Sequence, residues 1–194
     1  MSYYKRLDHA FENAPVLPIT PHSKYVFFSD CHRGAGTNND NFLKNSNSYS
    51  AALQYYYQYG FHYIEVGDGD ELWENKNLCQ IMEIHEDIFC QLANFQRCGR
   101  LYMLYGNHDM VKKDKIPLLQ DFTFYEGLIL RGSTPPVVLR VTHGHQADFF
   151  NSVFWKLARF LVRYLWAPLE GLGVLDPTSK EKNNRKYKHL FSSF

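Results

Sequence analysis

The chain of 194 residues carries 21 Lys and Arg against 20 Asp and Glu, a formal net charge of +1, and 45% hydrophobic residues. That length and apolar content suffice for one sizeable core, and the balanced charge excludes a global field that would draw nucleic acid or an acidic partner. The four cysteines form no C-x-x-C pair, the N-terminal segment has no apolar h-region, and Lys156, Arg159 and Arg163 interrupt the longest apolar stretch, so a cytoplasmic location is expected and a membrane-spanning helix is not.

In chain order, short apolar runs each stop at a polar cluster. "KYVFF" (24–28) ends at "SDCHRG", "HYIEV" (62–66) at "GDGDE", "RLYMLY" (100–105) at "GNHD" and "VVLRV" (137–141) at "THGH". Runs of this length, rich in Val, Tyr, Phe and Ile, predict buried strands. Between the first two, "NSNSYSAALQYYYQYG" (45–60) predicts a helix capped by Gly60. Between the next two, "NLCQIMEIHEDIFCQLANFQRCG" (77–99) repeats Leu78, Ile81, Met82, Ile84, Ile88, Leu92 and Phe95 at helical spacing and closes at Gly99. Strand and helix alternate, which predicts an α/β protein whose polar clusters gather at the carboxyl ends of the strands.

Residues 131–137, "RGSTPPV", are expected to form a turn before the fourth strand, with Pro135 and Pro136 excluding both helix and sheet interior. Residues 1–150 are expected to form the core, and 151–194 a helical lid or interfacial segment with a basic tail in the same domain. A helix over 151–166 would set Lys156, Arg159 and Arg163 beside Val153, Phe154, Leu157, Leu161 and Leu165. It would either pack as a lid or make a peripheral membrane contact. The 16% aromatic content reads as core and lid packing before a base-stacking surface.

The clusters bring together Asp30, His32, Asp68, Asn107, His108, Asp109, His143 and His145. Carboxylates, imidazoles and an amide oxygen suit Mn²⁺, Fe²⁺, Zn²⁺ or Mg²⁺, whereas a soft thiolate site is not indicated. In "DCH", alternation along an extended segment would aim Asp30 and His32 the same way. A carboxylate such as Asp68 can bridge two ions roughly 3.5 to 4 Å apart, as in sites that clamp a phosphate. Singly these signals are weak; their order, each at a strand end, carries the weight.

"DCH", "GDGDE", "GNHD" and His143 of "THGH", spanning residues 30 to 145, resemble the first four signature blocks of the calcineurin-like metallophosphoesterases. "GDGDELWE" also resembles the bacterial branch that contains UDP-2,3-diacylglucosamine hydrolase. The resemblance implies a four-layer α/β/β/α sandwich with mixed sheets. It implies that Asp30 and His32 hold one ion, that Asp68 bridges, that Asn107 and His143 hold the second, and that His108 meets the substrate with Asp109 as its partner. The cofactors would be two divalent ions, Mn²⁺ first and Fe, Zn or Mg as alternatives. The activity implied is hydrolysis of a phosphomonoester or pyrophosphate, in a phosphorylated small molecule or lipid-linked substrate, by in-line attack of a metal-activated hydroxide. Two alternatives stand beside it: a metal- or phosphate-binding remnant without turnover, and a nuclease-branch phosphodiesterase, ranked lower because no basic stripe adjoins the motifs.

That family closes its site with a later G-H-x-H block, yet from Gln146 to Phe194 the chain has a single histidine, His189, with no glycine before it. The sequence is therefore expected to lack the C-terminal strands, as part of a longer protein or a truncation, and His145 is a candidate substitute ligand. Arg33 is expected either to contact phosphate through its planar fork or to be a surface residue. Glu71 is expected to orient ligands, Asp70 to do the same or to be solvated, and His85 to be structural or exposed. Cys31 reads as a packing residue or an oxidation-sensitive thiol.

Overall fold

The computed structural model describes residues 3–37, 40–119, 122–145, 155–166 and 168. Helix α1 (Tyr3–Phe11) and strand β1 (Val16–Ile19) precede β2 (Tyr25–Phe28). A 3-10 turn (Leu43–Asn45) then leads to α2 (Ser46–Gln58), β3 (His62–Val66), α3 (Leu78–Ile84), α4 (Glu86–Arg97) and β4 (Leu101–Leu104). A 3-10 segment (Met110–Leu119), β5 (Phe124–Tyr125), β6 (Leu128–Ser133), β7 (Pro136–Val141) and α5 (Trp155–Leu161) follow, the last prolonged by a π-helical turn (Val162–Trp166).

The protein is mixed α/β with two sheets. One is parallel throughout, in the order β2-β3-β4-β5; the other is mixed, in the order β1-β6-β7, with β1 parallel and β7 antiparallel to β6. The fourth predicted strand therefore belongs to the second sheet, and α1, β1, β5 and β6 add to the four runs legible in the sequence. Pro136 opens β7 opposite Ser133, a first position at which a missing N–H is tolerated, so the turn is shorter than expected.

The strands of the parallel sheet read as largely apolar runs because the central strands β3 and β4 are covered on both faces, whereas Phe27 of edge strand β2 is exposed. On one face, Tyr63, Leu101 and Met103 pack with Tyr49 and Leu53 of α2 and Ile88, Leu92 and Phe95 of α4. On the other, Ile64 and Leu104 meet Leu17, Leu128 and Leu130 of the second sheet. Parallel neighbours need crossovers, and right-handed crossovers between strands added in one direction place their helices on one face. The layering is thus helix, sheet, sheet.

Gly60 and Gly99 end α2 and α4 with φ of 77° and 66°. Phe61 N–H bonds the Tyr56 carbonyl and Arg100 N–H that of Phe95, so both are the left-handed caps the sequence predicted. The single helix expected over 77–99 is broken at His85 (φ −111°, ψ 34°). The cause is tertiary: His85 Nε2 lies 2.9 Å from Asp40 Oδ2, and both residues are buried.

No helix among the described residues is long and apolar enough to cross a membrane. The lid expectation for 151–166 has a contact behind it, since Arg163 donates to the carbonyls of Leu72 (2.7 Å), Trp73 (2.8 Å) and Asn75 (3.3 Å). That arginine leaves the expected cationic stripe. Val153 and Phe154 lie outside the described residues, while Leu157, Phe160, Leu161, Tyr164 and Leu165 face outward.

Candidate metal centre

Because β2, β3 and β4 run in parallel, the loops after Phe28, Val66 and Leu104 leave the same edge of the sheet. The first two stay paired beyond the strands: His32 N–H bonds the Asp68 carbonyl (2.9 Å), Arg33 N–H that of Gly69 (3.0 Å), and Glu71 N–H that of Arg33 (2.9 Å). His143 arrives after β7.

Asp30, His32 and Asp68 are the non-glycine residues with positive φ among those described, at 54°, 49° and 50°. Such conformations cost roughly 1–3 kcal/mol each and persist where the surroundings impose them, commonly at functional sites. The convergence of Asp30 and His32 therefore comes from left-handed turns and not from the strand alternation expected of D-x-H. Gly106 is demanded by closeness: a Cβ there would stand 2.0 Å from Asp68 Oδ1.

Asp68 is buried, and its Oδ1 accepts the His108 N–H at 2.8 Å. Its Oδ2 lies 3.2 Å from His143 Nε2 and 4.0 Å from His32 Nε2. The His32 Nε2 is also 3.9 Å from Asp30 Oδ1, and the Asn107 amide oxygen lies 3.2 Å from His143 Nε2. Ligand atoms of Asp30, Asp68 and His143 all fall within 4.8 Å of one another. Sequence motifs named these residues, and the fold brings all five together.

Each imidazole is turned by its other nitrogen. His143 Nδ1 lies 2.9 Å from the Val66 carbonyl and donates to it, so its Nε2 faces two acceptor oxygens. Only a proton on Nε2 or a cation reconciles them. Burial opposes that proton, but the Asp68 hydrogen bond and charge outweigh burial and lift His143 to about 9. For Asp68, burial is likewise outweighed, here by the His143 hydrogen bond and the nearby His108 ring, which hold its carboxyl below the usual range. His32 Nδ1 donates to Glu71 Oε2 at 2.8 Å, which directs its Nε2 toward Asp30 and Asp68, the orientation a carboxylate gives to a histidine that ligates a metal. The donor set is all oxygen and nitrogen, so it fits borderline-to-hard divalent ions.

The partner of His108 is Glu71, correcting the expectation that it is Asp109. His108 Nδ1 donates to Glu71 Oε2 at 2.7 Å, and the ring stacks on Trp73 with centroids 4.1 Å apart. Glu71 Oε1 is held by the Trp73 and Glu74 N–H groups. Burial raises its pKa, but the His108 and His32 hydrogen bonds prevail and set it at about 2. Asp109 instead accepts from Gly106 N–H (2.8 Å), Gly69 N–H (3.2 Å) and Lys112 Nζ (2.7 Å), tying the second and third loops together from below.

Arg33 is corrected as well. It is 0% exposed, with Nη1 and Nη2 on the two Glu65 oxygens (2.8 and 2.9 Å) and Nε on Asp70 (2.6 Å), so its guanidinium is closed to any substrate. Asp70 is buried too and pairs with Lys112 at 2.8 Å. Glu65 and Lys112 went unread in the sequence, though a glutamate inside the apolar run "HYIEV" signals a buried counter-charge.

Among the described residues His145 joins neither group of potential ligands, Asp30–Asp68–His143 or His32–Glu71–His108. Gly144, at φ 95°, turns the chain after His143, and His145 is buried with its ring 5.7 Å from that of His143. Burial and the neighbouring His143 push its pKa down to about 4. Cys31 packs against the core, and burial and Glu65 raise its thiol to about 12, so it is a packing residue and not a reactive thiolate.

Compared with family models, curated proteins and solved structures, the chain gives no match.

Proposed function

We propose that this chain is a phosphoesterase dependent on two divalent cations, its helix–sheet–sheet layering corresponding to three of the four layers expected of the calcineurin-like metallophosphoesterases. The observation that carries the reading is the Asp68 carboxylate. Its Oδ2 stands between His143 Nε2 (3.2 Å) and His32 Nε2 (4.0 Å), where a bridging ligand belongs. Asp30 and His32 would complete one ion's protein ligands, and Asn107 and His143 the other's. Three protein ligands for each ion leave positions open to substrate and water. Mn²⁺, Fe, Zn or Mg bound there would neutralise phosphoryl oxygens and lower the pKa of water toward ~7.

The remaining work falls to the chain. Asn107 contributes an oxygen without adding negative charge opposite an anionic substrate. His108, held by Glu71 and backed by Trp73, presents its Nε2 to the phosphoryl group and hands a proton to the departing alcohol oxygen. Elemental analysis of the purified protein, paired with hydrolysis of p-nitrophenyl phosphate, tests the reading. Bound metal with turnover supports it. Bound metal without turnover would favour the metal-binding remnant, and no metal at all would sink both.

A further inference from the structure

Beside the metal centre lies a cavity of about 880 Å³ between α2 and the helix over 155–166, within the roughly 300–1,000 Å³ range of small-molecule sites. It opens on Asp30, His32 and His108. Phe42, Tyr49, Trp73, Val162 and Trp166 form apolar walls, and Asn41, Asn45 and Ser48 line one side. Among the described lining residues there is no lysine or arginine, whereas Asp30, Glu71 and Glu74 are present. Arg163, next to two of the lining residues, is directed to backbone carbonyls of residues 72, 73 and 75. Aromatic walls with amides and a hydroxyl match rings that carry hydroxyl groups. With Asp30 committed to an ion and Glu71 to His32 and His108, the described walls offer a second phosphate no Lys or Arg to answer its charge.

We propose that this cavity receives the leaving group of a phosphomonoester, and that this group is an uncharged, hydroxyl-bearing ring compound of the sugar or nucleoside kind, which disfavours a pyrophosphate substrate. The proposal rests on the phosphoesterase reading. A water oxygen bonds to phosphorus, the ester P–O bond breaks, and the departing oxygen takes the His108 proton, giving inorganic phosphate and the free alcohol.

The full chain loaded with Mn²⁺ is assayed with adenosine 5′-monophosphate, whose leaving group is neutral, and adenosine 5′-diphosphate, whose terminal phosphoryl group departs from a charged nucleotide. kcat/KM is expected to favour the monophosphate by about tenfold or more, and Ser48→Lys, which places a cation in the wall, to narrow that ratio. Equal or reversed preference overturns the proposal. If neither ester is hydrolysed, turnover of p-nitrophenyl phosphate decides the phosphoesterase reading separately, and binding of adenosine judges the cavity through tryptophan fluorescence. Quenching that Ala52→Phe weakens by about fivefold or more upholds an uncharged-ring site; absent quenching, or quenching indifferent to Ala52→Phe, overturns it.

Discussion

Glu71 Oε2 accepts a hydrogen bond from His108 Nδ1 at 2.7 Å, and the same oxygen accepts the Nδ1–H of His32 at 2.8 Å. One carboxylate thus sets the orientation of the proposed metal ligand and of the proposed proton donor. Glu71→Gln is expected to lower metal affinity and turnover together by about 10- to 100-fold, as lost outer partners of metal-ligating histidines do. Metal titration and kcat measured on one preparation check it. A variant that kept both would detach Glu71 from either role.

Asp68→Asn should release both ions, because one carboxylate serves each. An amide retains one oxygen but loses the charge that attracts two cations. Elemental analysis showing full occupancy in this variant would end the bridging assignment.

His108→Ala leaves the five proposed ligands in place. Metal content should stay near that of the parent while kcat falls by about 10²- to 10⁴-fold, the range for a lost general acid. Loss of metal in proportion to activity would make His108 a ligand instead.

Arg33→Met leaves Glu65 without the guanidinium that grips both its oxygens. Breaking a buried pair from one side costs ~3–5 kcal/mol, which for a chain of this size lowers Tm by roughly 6–20 °C. Calorimetry should show that fall. An unchanged Tm with a raised KM for phosphate esters would return Arg33 to the substrate.

In metal-free protein, burial is outweighed at Asp70 by the Arg33 and Lys112 charges and at Glu71 by hydrogen bonds from His108 and His32. Asp70 is held at about 2 against 3.8, and Glu71 at about 2 against 4.5. Folded pKa values below the unfolded ones mean that both contributions are complete above about pH 4.5 and fade as pH falls toward 2. Stability should therefore decline through that window in denaturant titrations. In the Asp70→Asn, Glu71→Gln double variant the slope of stability against pH should flatten there, and an equally steep slope would remove these carboxyls from acid unfolding.

The strands and the polar clusters at their ends were legible because a parallel strand buried on both faces must be apolar throughout, so its first polar residues mark where the chain leaves the core. Asp30, His32, Asp68 and Asn107 could be read that way, whereas His143 follows β7, an antiparallel and largely exposed strand. The caps at Gly60 and Gly99 were legible because a left-handed position favours glycine whatever surrounds it. The helix break was not, because it depends on His85 finding Asp40 across 45 residues of chain.

By itself, then, the sequence determined which residues stand where strands leave the core and what ligand chemistry they can offer, since apolar runs and residue type are local properties. Which charge answers which was decided only by the tertiary structure. Arg33 meets Glu65 across 32 residues, His108 meets Glu71 across 37, and Asp109 turns to Lys112 and two backbone amides while His145 turns inward beside His143. A buried ion takes the partner that burial places within reach, and nearness inside a core follows from packing and not from order along the chain.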